Sequence, residues 1–329
     1  MNQKPGKPGI SAIATPDDVC LAYQLILGRM PDPSGLSYFA SLAKSQSLDA
    51  HDIAKLLIGS EEFRTKGNGT HEPVEIELDG YSIFVRKSDR DIGSAISRGV
   101  SYEPHVTALL RRELHKGNTF LDVGANIGYF TMLGAKLVGA AGRVIAVEPM
   151  DKNLQLVYLG IRKNAFEHVR VMPFGASNHS GIVSIVTDPN TSNALVQSAP
   201  TSSSPSNFAP VQTLDWLCRD LDALDFVKMD IEGHEVFAWQ GAERTFAKYR
   251  PKIATEFHPY ALKANSGLDY NDYLSMMFKY ARSVQVIASP QELITCTEPH
   301  QVMEQWEKFD QRYGSNGTSH LDLFLSPRD

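Results

Sequence analysis

The chain is expected to be an α/β protein, with a largely parallel sheet covered by helices on both faces and a small all-α region ahead of it. Two observations carry this expectation. Short apolar runs at Thr119–Val123, "RVIAVEP", "VRVMPF", "DFVKMD" and "PKIATEF" alternate with segments of helical periodicity, the pattern of strands joined by crossover helices. The first run feeds an amphipathic segment through a glycine turn, "FLDVGANIGYFT", as a strand feeds a helix at a cofactor site. With 329 residues and 42% hydrophobic content, the chain can bury a core for one large domain and a smaller one.

Taken in order, residues 1–15 are rich in Pro, Gly and Lys and are expected to be a flexible tail. From Asp17 to Lys66 the apolar spacing is helical, in "DDVCLAYQLILGR", "PSGLSYFASLAK" and "AHDIAKLLIGSEEFR". The run "LGRMPDPSGLSYF" followed by "LLIGSEEFR" resembles the small helical module DUF4214, common in bacterial proteins of glycan metabolism, so residues 16–67 are assigned to such a module. Its simplest role is a helical cap that adds packing or homo-oligomer contacts. After "KGNGTHEP", the stretch "VEIELDGYSIFVR" alternates about Asp79-Gly80 and predicts a hairpin opening a domain over 71–329. "SYEPHVTALLRRELHKG" predicts a helix ended by Gly117, and the alternating strands and helices follow, including one helix from Gly233 to Lys248. Residues 187–210, dominated by Ser, Pro, Asn and Thr, are expected to be a flexible insertion, either a lid or a solvated loop.

A net charge of −6 argues against a nucleic-acid binder that works by general basicity. Cys20, Cys218 and Cys296 are too far apart for a zinc knuckle or a disulfide framework and point to a reducing compartment. The N-terminus lacks the basic cap and apolar core of a secretory signal, and no run reaches transmembrane length without a charge. A cytoplasmic location is expected, and the Asn-x-Ser/Thr triplets at Asn68, Asn178, Asn190 and Asn316 are then chance occurrences rather than glycan sites.

The glycine turn narrows the ligand. Its spacing, Asp122-x-Gly124-x-x-x-Gly128, is neither the G-x-G-x-x-G of a dinucleotide fold nor the P-loop, and nothing replaces the phosphate-binding lysine. The second strand ends in "AVEP", where Glu148 can accept both ribose hydroxyls as a bidentate carboxylate. A nucleoside without phosphates fits, and S-adenosylmethionine is such a ligand: its adenosine uses Glu148, and its methionine amine finds Asp122 and the 124–128 turn.

"FLDVGANIGYFT", "VIAVEPMDKN", "TLDWL", "FVKMDIEGHEVFAWQGAE" and "RPKIATEF", in that order and spacing, resemble the FkbM family of S-adenosylmethionine-dependent methyltransferases, over residues 97–260 with "LDLFLS" as the last strand. The resemblance implies a Rossmann-like, seven-stranded class I methyltransferase sheet. It implies Asp122, Gly124, Asn126 and Gly128 as the first cofactor loop, Glu148 as the ribose acid, and Asn153 and Asn164 in the helix that follows. Where the family reads Ala-x-Gly-Asp near the adenine this chain has "GASN", placing Gly175 and Asn178 there. Tyr102 and Glu103 match a "YEP" segment that can line the donor and acceptor cleft.

For catalysis, Lys228 and Asp230 lie on one face of the strand in "FVKMDIEGHE", with Asp230 at its carboxyl end, where α/β ligands bind. The pair can orient an acceptor hydroxyl, with Asp230 as base or hydrogen-bond acceptor. The alternative is an ion pair of Lys228 with Asp230 or Glu256 that only satisfies the interior. His234, just past the strand, has the better-matched ordinary pKa for a base, and Glu256 ends the next strand. Asp230 with Glu232 and Glu235 offers oxygen ligands for Mg²⁺, but no metal site is favoured. The expected function is O-methylation of a sugar hydroxyl in a glycan or its precursor. The alternatives are a polyketide, lipid or other small-metabolite acceptor, a glycan-binding scaffold without turnover, and, last, a nicotinamide dehydrogenase.

Overall fold

The computed structural model describes residues 13–66, 73–90, 92–97, 102–187, 191–197 and 206–328. Four helices come first, α1 (Pro16–Leu27), α2 (Pro33–Gln46), α3 (Ala50–Ile58) and α4 (Glu61–Lys66), then the hairpin of β1 (Pro73–Leu78) and β2 (Tyr81–Arg86) at Asp79-Gly80. Helices α5 (Ile92–Ser97) and α6 (Pro104–Glu113) lead to β3 (Thr119–Val123), α7 (Tyr129–Val138), β4 (Arg143–Val147), α8 (Asp151–Asn164) and β5 (Val169–Met172). Next are β6 (Gly175–Ala176), β7 (Gly181–Thr187), β8 (Ala194–Gln197), β9 (Ser206–Gln212), α9 (Leu214–Leu217), β10 (Phe226–Met229), α10 (Glu235–Gln240), α11 (Glu243–Tyr249) and β11 (Lys252–Phe257). The chain ends with α12 (Pro259–Ala261), a π-helical turn at Leu262–Ser266, α13 (Tyr270–Tyr280), β12 (Ala281–Ser289), β13 (Glu292–Cys296), α14 (Pro299–Tyr313) and β14 (Leu321–Pro327).

The central sheet runs β13-β12-β14-β11-β10-β3-β4-β5. Strands β5, β4, β3, β10 and β11 are mutually parallel, and β14 lies antiparallel between β11 and β12. The sheet therefore has eight strands where seven were expected. The extra one is β13, which pairs antiparallel with β12 across the Pro290-Gln291 turn. Side chains alternate between two cores, as a strand's period of two requires. Phe120, Val144, Ala146, Phe226, Ala254 and Phe324 face one, whereas Leu121, Ile145, Val147, Val227, Met229 and Ile253 face the other.

Helices α1 and α3 rest on α8, and their Val19, Ile26, Ile53 and Leu57 belong to the first core. The seam is polar as well as apolar: Arg170 meets the buried Asp49 at 2.6 Å, and His51 Nδ1 lies 3.3 Å from the Tyr158 hydroxyl. Asn164, a cofactor candidate by resemblance, instead ties the hairpin to α8. Its Oδ1 accepts from the Ser82 amide at 2.8 Å and its Nδ2 donates to the Ser82 carbonyl at 2.7 Å.

The helix expected from Gly233 to Lys248 is two helices, α10 and α11, broken at Gly241. A Cβ there would stand 2.0 Å from the Ser177 carbonyl oxygen, so the backbone at 241 packs directly on the loop after β6. Within the insertion expected at 187–210, residues 194–197 and 206–210 are strand, in a second sheet ordered β6-β9-β7-β8. Residues 188–190 and 198–205 lie outside the described residues, as do 1–12 of the expected tail and the triplets' Asn68 and Asn190. Among the described residues no helix is long and apolar enough to cross a membrane, and the three cysteines are free thiols.

Candidate functional site

The turn after β3 is held open by backbone conformation. Gly124, Asn126 and Gly128 have φ of 83°, 49° and 89°, left-handed values that glycine adopts freely and asparagine tolerates. The amides of Gly124 and Ala125 both donate to the Val147 carbonyl at 3.0 Å, fixing the turn to the end of β4. One residue further on, Glu148 completes the cradle: its Oε2 accepts from the Asn126 amide at 2.9 Å, and its Oε1 from the Met150 amide at 2.9 Å and Asn153 Nδ2 at 3.2 Å. Burial pushes this carboxyl up to about 7, against the pull of those three N–H donors.

Gly124 also faces β10. A Cβ at this position would lie 1.9 Å from the Asp230 carbonyl oxygen, so the two functional loops touch through a gap only glycine leaves. Gly124→Ala is expected to cost about 3 kcal/mol, from the left-handed strain and from overpacking. A thermal melt of the variant checks this, and an unchanged Tm would contradict the close approach.

A cavity opens at the carboxyl ends of β3, β4 and β10, with the second sheet forming one wall. Tyr102, Gly124, Asn126, Glu148, Asn153, Gly175, Lys228, Asp230 and His234 all line it. The other sequence candidates lie outside it. Gly128 is the N-cap of α7 and packs toward Val157. Asp122 is fully buried, with Oδ2 accepting from the Thr131 hydroxyl at 2.6 Å, so it supports the loop from beneath. Asn178 is turned to the surface, where its Nδ2 donates to Gln240 at 2.8 Å, because the chain leaves the sheet at β6 and folds over Gly241. Glu103 takes a left-handed φ of 40° at the start of α6 and buries an Oε2 that has no hydrogen-bond partner.

Lys228 is buried among carboxylates. Its Nζ donates to Asp230 Oδ2 at 2.9 Å and lies 4.6 Å from the centre of the Phe130 ring, and it stands in register with Asp122 on β3. Asp230, Glu103 and Asp122 together hold its ammonium well above the usual lysine range despite burial. The partner of Lys228 is thus Asp230. Glu256 lies behind the cleft wall, 8% exposed, and its Oε1 is 3.6 Å from His320 Nδ1. For His234 the expected match of pKa fails: burial lowers it to about 4, with Nε2 3.2 Å from the Ser177 hydroxyl. It is neutral at pH 7 but too weak a base to match a hydroxyl.

The sequence offered a lid at 187–210 as one of two readings but not the residues that cover the cradle. Asn126 Nδ2 donates to Asn193 Oδ1 at 3.0 Å and Asn153 Nδ2 to the Ser192 carbonyl at 2.9 Å, so residues 191–193 close over the first loop. Val183, Ile185, Ala209 and Val211 of the second sheet supply an apolar wall. The one available signal was the alternation in "GIVSIVT", masked by the polar residues around it. Phe130, the ring beneath Lys228, carries no sequence signal beyond its place in a helix.

Residues 122–284 match the family described as the methyltransferase FkbM domain. That match supports a methyltransferase domain over this segment, which runs from β3 into β12. Among solved structures, the chain is similar to the methyltransferase FkbM of Methylobacillus flagellatus KT, at 20% identity over 84% of this chain and 57% of that one, with a TM-score of 0.37. It is also similar to an S-adenosylmethionine-dependent O-methyltransferase of Thermotoga maritima, at 11% identity over 82% of each chain, again with a TM-score of 0.37. The chain thus spans little more than half the length of the Methylobacillus protein. No curated protein matches it.

Proposed function

We propose that the chain transfers a methyl group from S-adenosylmethionine to a hydroxyl of a sugar in a glycan or glycan precursor. The observation that carries the donor assignment is the cradle itself. Glu148 is buried just after β4 with an acceptor site on Oε2 left for a ribose hydroxyl, and among the described residues the cationic side chain lining the cavity, Lys228, is already paired with Asp230. Among the described residues a phosphate would find no free positive charge there, whereas a sulfonium and an ammonium suit the carboxylates of Glu148, Asp230 and Glu232. The orphaned, buried Oδ1 of Asn126 is a further acceptor aimed at a donor-bearing ligand.

S-adenosylmethionine supplies an electrophilic methyl; the acceptor oxygen bonds to it as the sulfur–carbon bond breaks, and the hydroxyl proton leaves. The protein's part is mostly alignment, worth up to about 7–11 kcal/mol when two reactants are held in line. Asp230, fixed by Lys228, hydrogen-bonds the acceptor hydroxyl and receives its proton. Tyr102 and Phe130 exclude water from one side, and the second sheet does so from the other. A hydroxyl-rich acceptor is supported by the acidic and polar rim of Asp230, Glu232 and His234.

The test is transfer of labelled methyl from S-adenosylmethionine into glycan and small-molecule fractions of a host lacking the gene. Label on a sugar oxygen is expected. Label confined to small metabolites would replace the acceptor, and donor binding without label in either fraction would leave a binding protein.

The Glu148 carboxyl also sets a pH dependence. Burial favours its protonated form, while ribose hydroxyls donate best to its ionised form, so below pH 7 donor binding must expel a proton. Donor affinity is expected to rise about tenfold from pH 6 to pH 8 and to flatten above, since a group with its pKa at 7 is about one-tenth ionised at the lower pH. Calorimetric titration at the two values checks this, and Glu148→Gln should abolish the dependence.

A further inference from the structure

Behind the acceptor wall, three carboxylates converge that the cofactor cradle does not use. Asp230 follows β10, Glu235 opens α10 and Glu256 lies in β11, and one carboxylate oxygen from each falls within 4.8 Å of the others. Glu235 and Glu256 are 1% and 8% exposed. Part of each carboxylate is occupied. Glu235 Oε1 accepts from the amides of Ile231 at 2.8 Å and Gly233 at 3.2 Å, and Asp230 Oδ2 accepts from Lys228. Glu256 Oε2 differs, being buried with no hydrogen-bond partner.

Three carboxylates this close repel one another, and burial with the neighbouring carboxylates holds Glu256 well above the ordinary range. A buried acceptor with no donor calls for a cation or a proton. The Lys228 ammonium already faces Asp230, Asp122 and Glu103. Oxygen-only ligands at the mouths of adjacent strands are the donor set that hard divalent cations take.

We propose that Asp230, Glu235 and Glu256 form a binding site for an oxygen-preferring divalent cation, Mg²⁺ or Mn²⁺, at the acceptor wall of the cleft. This alters the set suggested by sequence spacing: Glu232 lines the cavity, and Glu256 from the next strand takes its place. The ion takes one oxygen from each carboxylate and leaves its other positions to water, and it acts on the acceptor through Asp230, which also lines the cavity. Its role toward the acceptor rests on the methyltransferase reading; the binding of the ion does not.

The experiment is titration of the metal-stripped full chain with Mn²⁺, followed by the loss of the free-ion electron paramagnetic signal, beside calorimetric titration with S-adenosylmethionine. One Mn²⁺ per chain is expected, displaced by Mg²⁺. Glu256→Gln should weaken Mn²⁺ at least about tenfold and leave donor affinity within threefold; Glu232→Gln should leave Mn²⁺ affinity unchanged. Should Glu256→Gln fold poorly by thermal melt, Glu235→Gln serves in its place. No Mn²⁺ bound by the wild-type chain up to about 1 mM, or binding indifferent to both substitutions, overturns the site. Failure of donor binding with Mn²⁺ retained would overturn the methyltransferase reading alone.

Discussion

Glu148→Gln is expected to raise the dissociation constant for S-adenosylmethionine about 10²-fold, with kcat at saturating donor changed less than about threefold. The carboxylate stands beside the first loop with Oε2 still open to a ribose hydroxyl, and a hydrogen bond to a charged acceptor contributes about 1.5–3 kcal/mol. Glutamine keeps one carbonyl oxygen but points an N–H₂ group at donors, so at least one ribose bond is lost. Glu148→Ala should be worse in a second way. It strands the amides of Asn126 and Met150 and the Asn153 Nδ2, which the carboxylate now satisfies, at about 1–3 kcal/mol for each group left buried and unpaired. Glutamine is therefore the substitution that separates binding from folding. Calorimetry on the free enzyme measures the first, thermal melting the second. A donor affinity within threefold of wild type would remove Glu148 from the ribose and with it the main support for the donor assignment.

Glu148 was legible in the sequence because its position is a consequence of topology: an acid immediately after the second parallel strand must stand beside the first glycine turn. The same logic made Lys228 and Asp230 visible, since a lysine inside a strand buried on both faces needs a local partner, and the aspartate two residues on shares its face. What depended on long-range packing was not legible. Asn178 follows a two-residue strand, and only the contact with Gly241 decides that it points outward. His234 has an ordinary pKa on paper, and its burial beneath the second sheet could not be seen, because that sheet is assembled from polar segments read as a loop. Glu256 and Asp230 are 26 positions apart, and their proximity follows from the pairing of β10 with β11, whose register no local pattern states. The eighth strand was missed for a related reason: the alternation in "SVQVIASPQELITC" lies beyond the blocks that define the methyltransferase resemblance.

Asp230→Asn is expected to lower kcat by about 10²–10⁴-fold while leaving donor affinity within about threefold. Asparagine is the informative replacement because its side-chain oxygen can still accept from Lys228 Nζ, so the buried ammonium keeps a hydrogen bond while the charge that receives the acceptor proton is gone. Alanine would leave the ammonium facing only Asp122 and Glu103, at a stability cost of about 3–5 kcal/mol for a broken buried pair, and would confuse folding with chemistry. Lys228→Met tests the other half. If lysine acts only by fixing Asp230, its loss should depress kcat nearly as far as Asp230→Asn, and the double variant should be little slower than either single one, because groups that act as a unit are not additive. Multiplicative losses in the double variant would instead mean that the two side chains contact the acceptor independently. Lys228 would then be a hydroxyl ligand in its own right, and the aspartate's proton-accepting role would no longer depend on it.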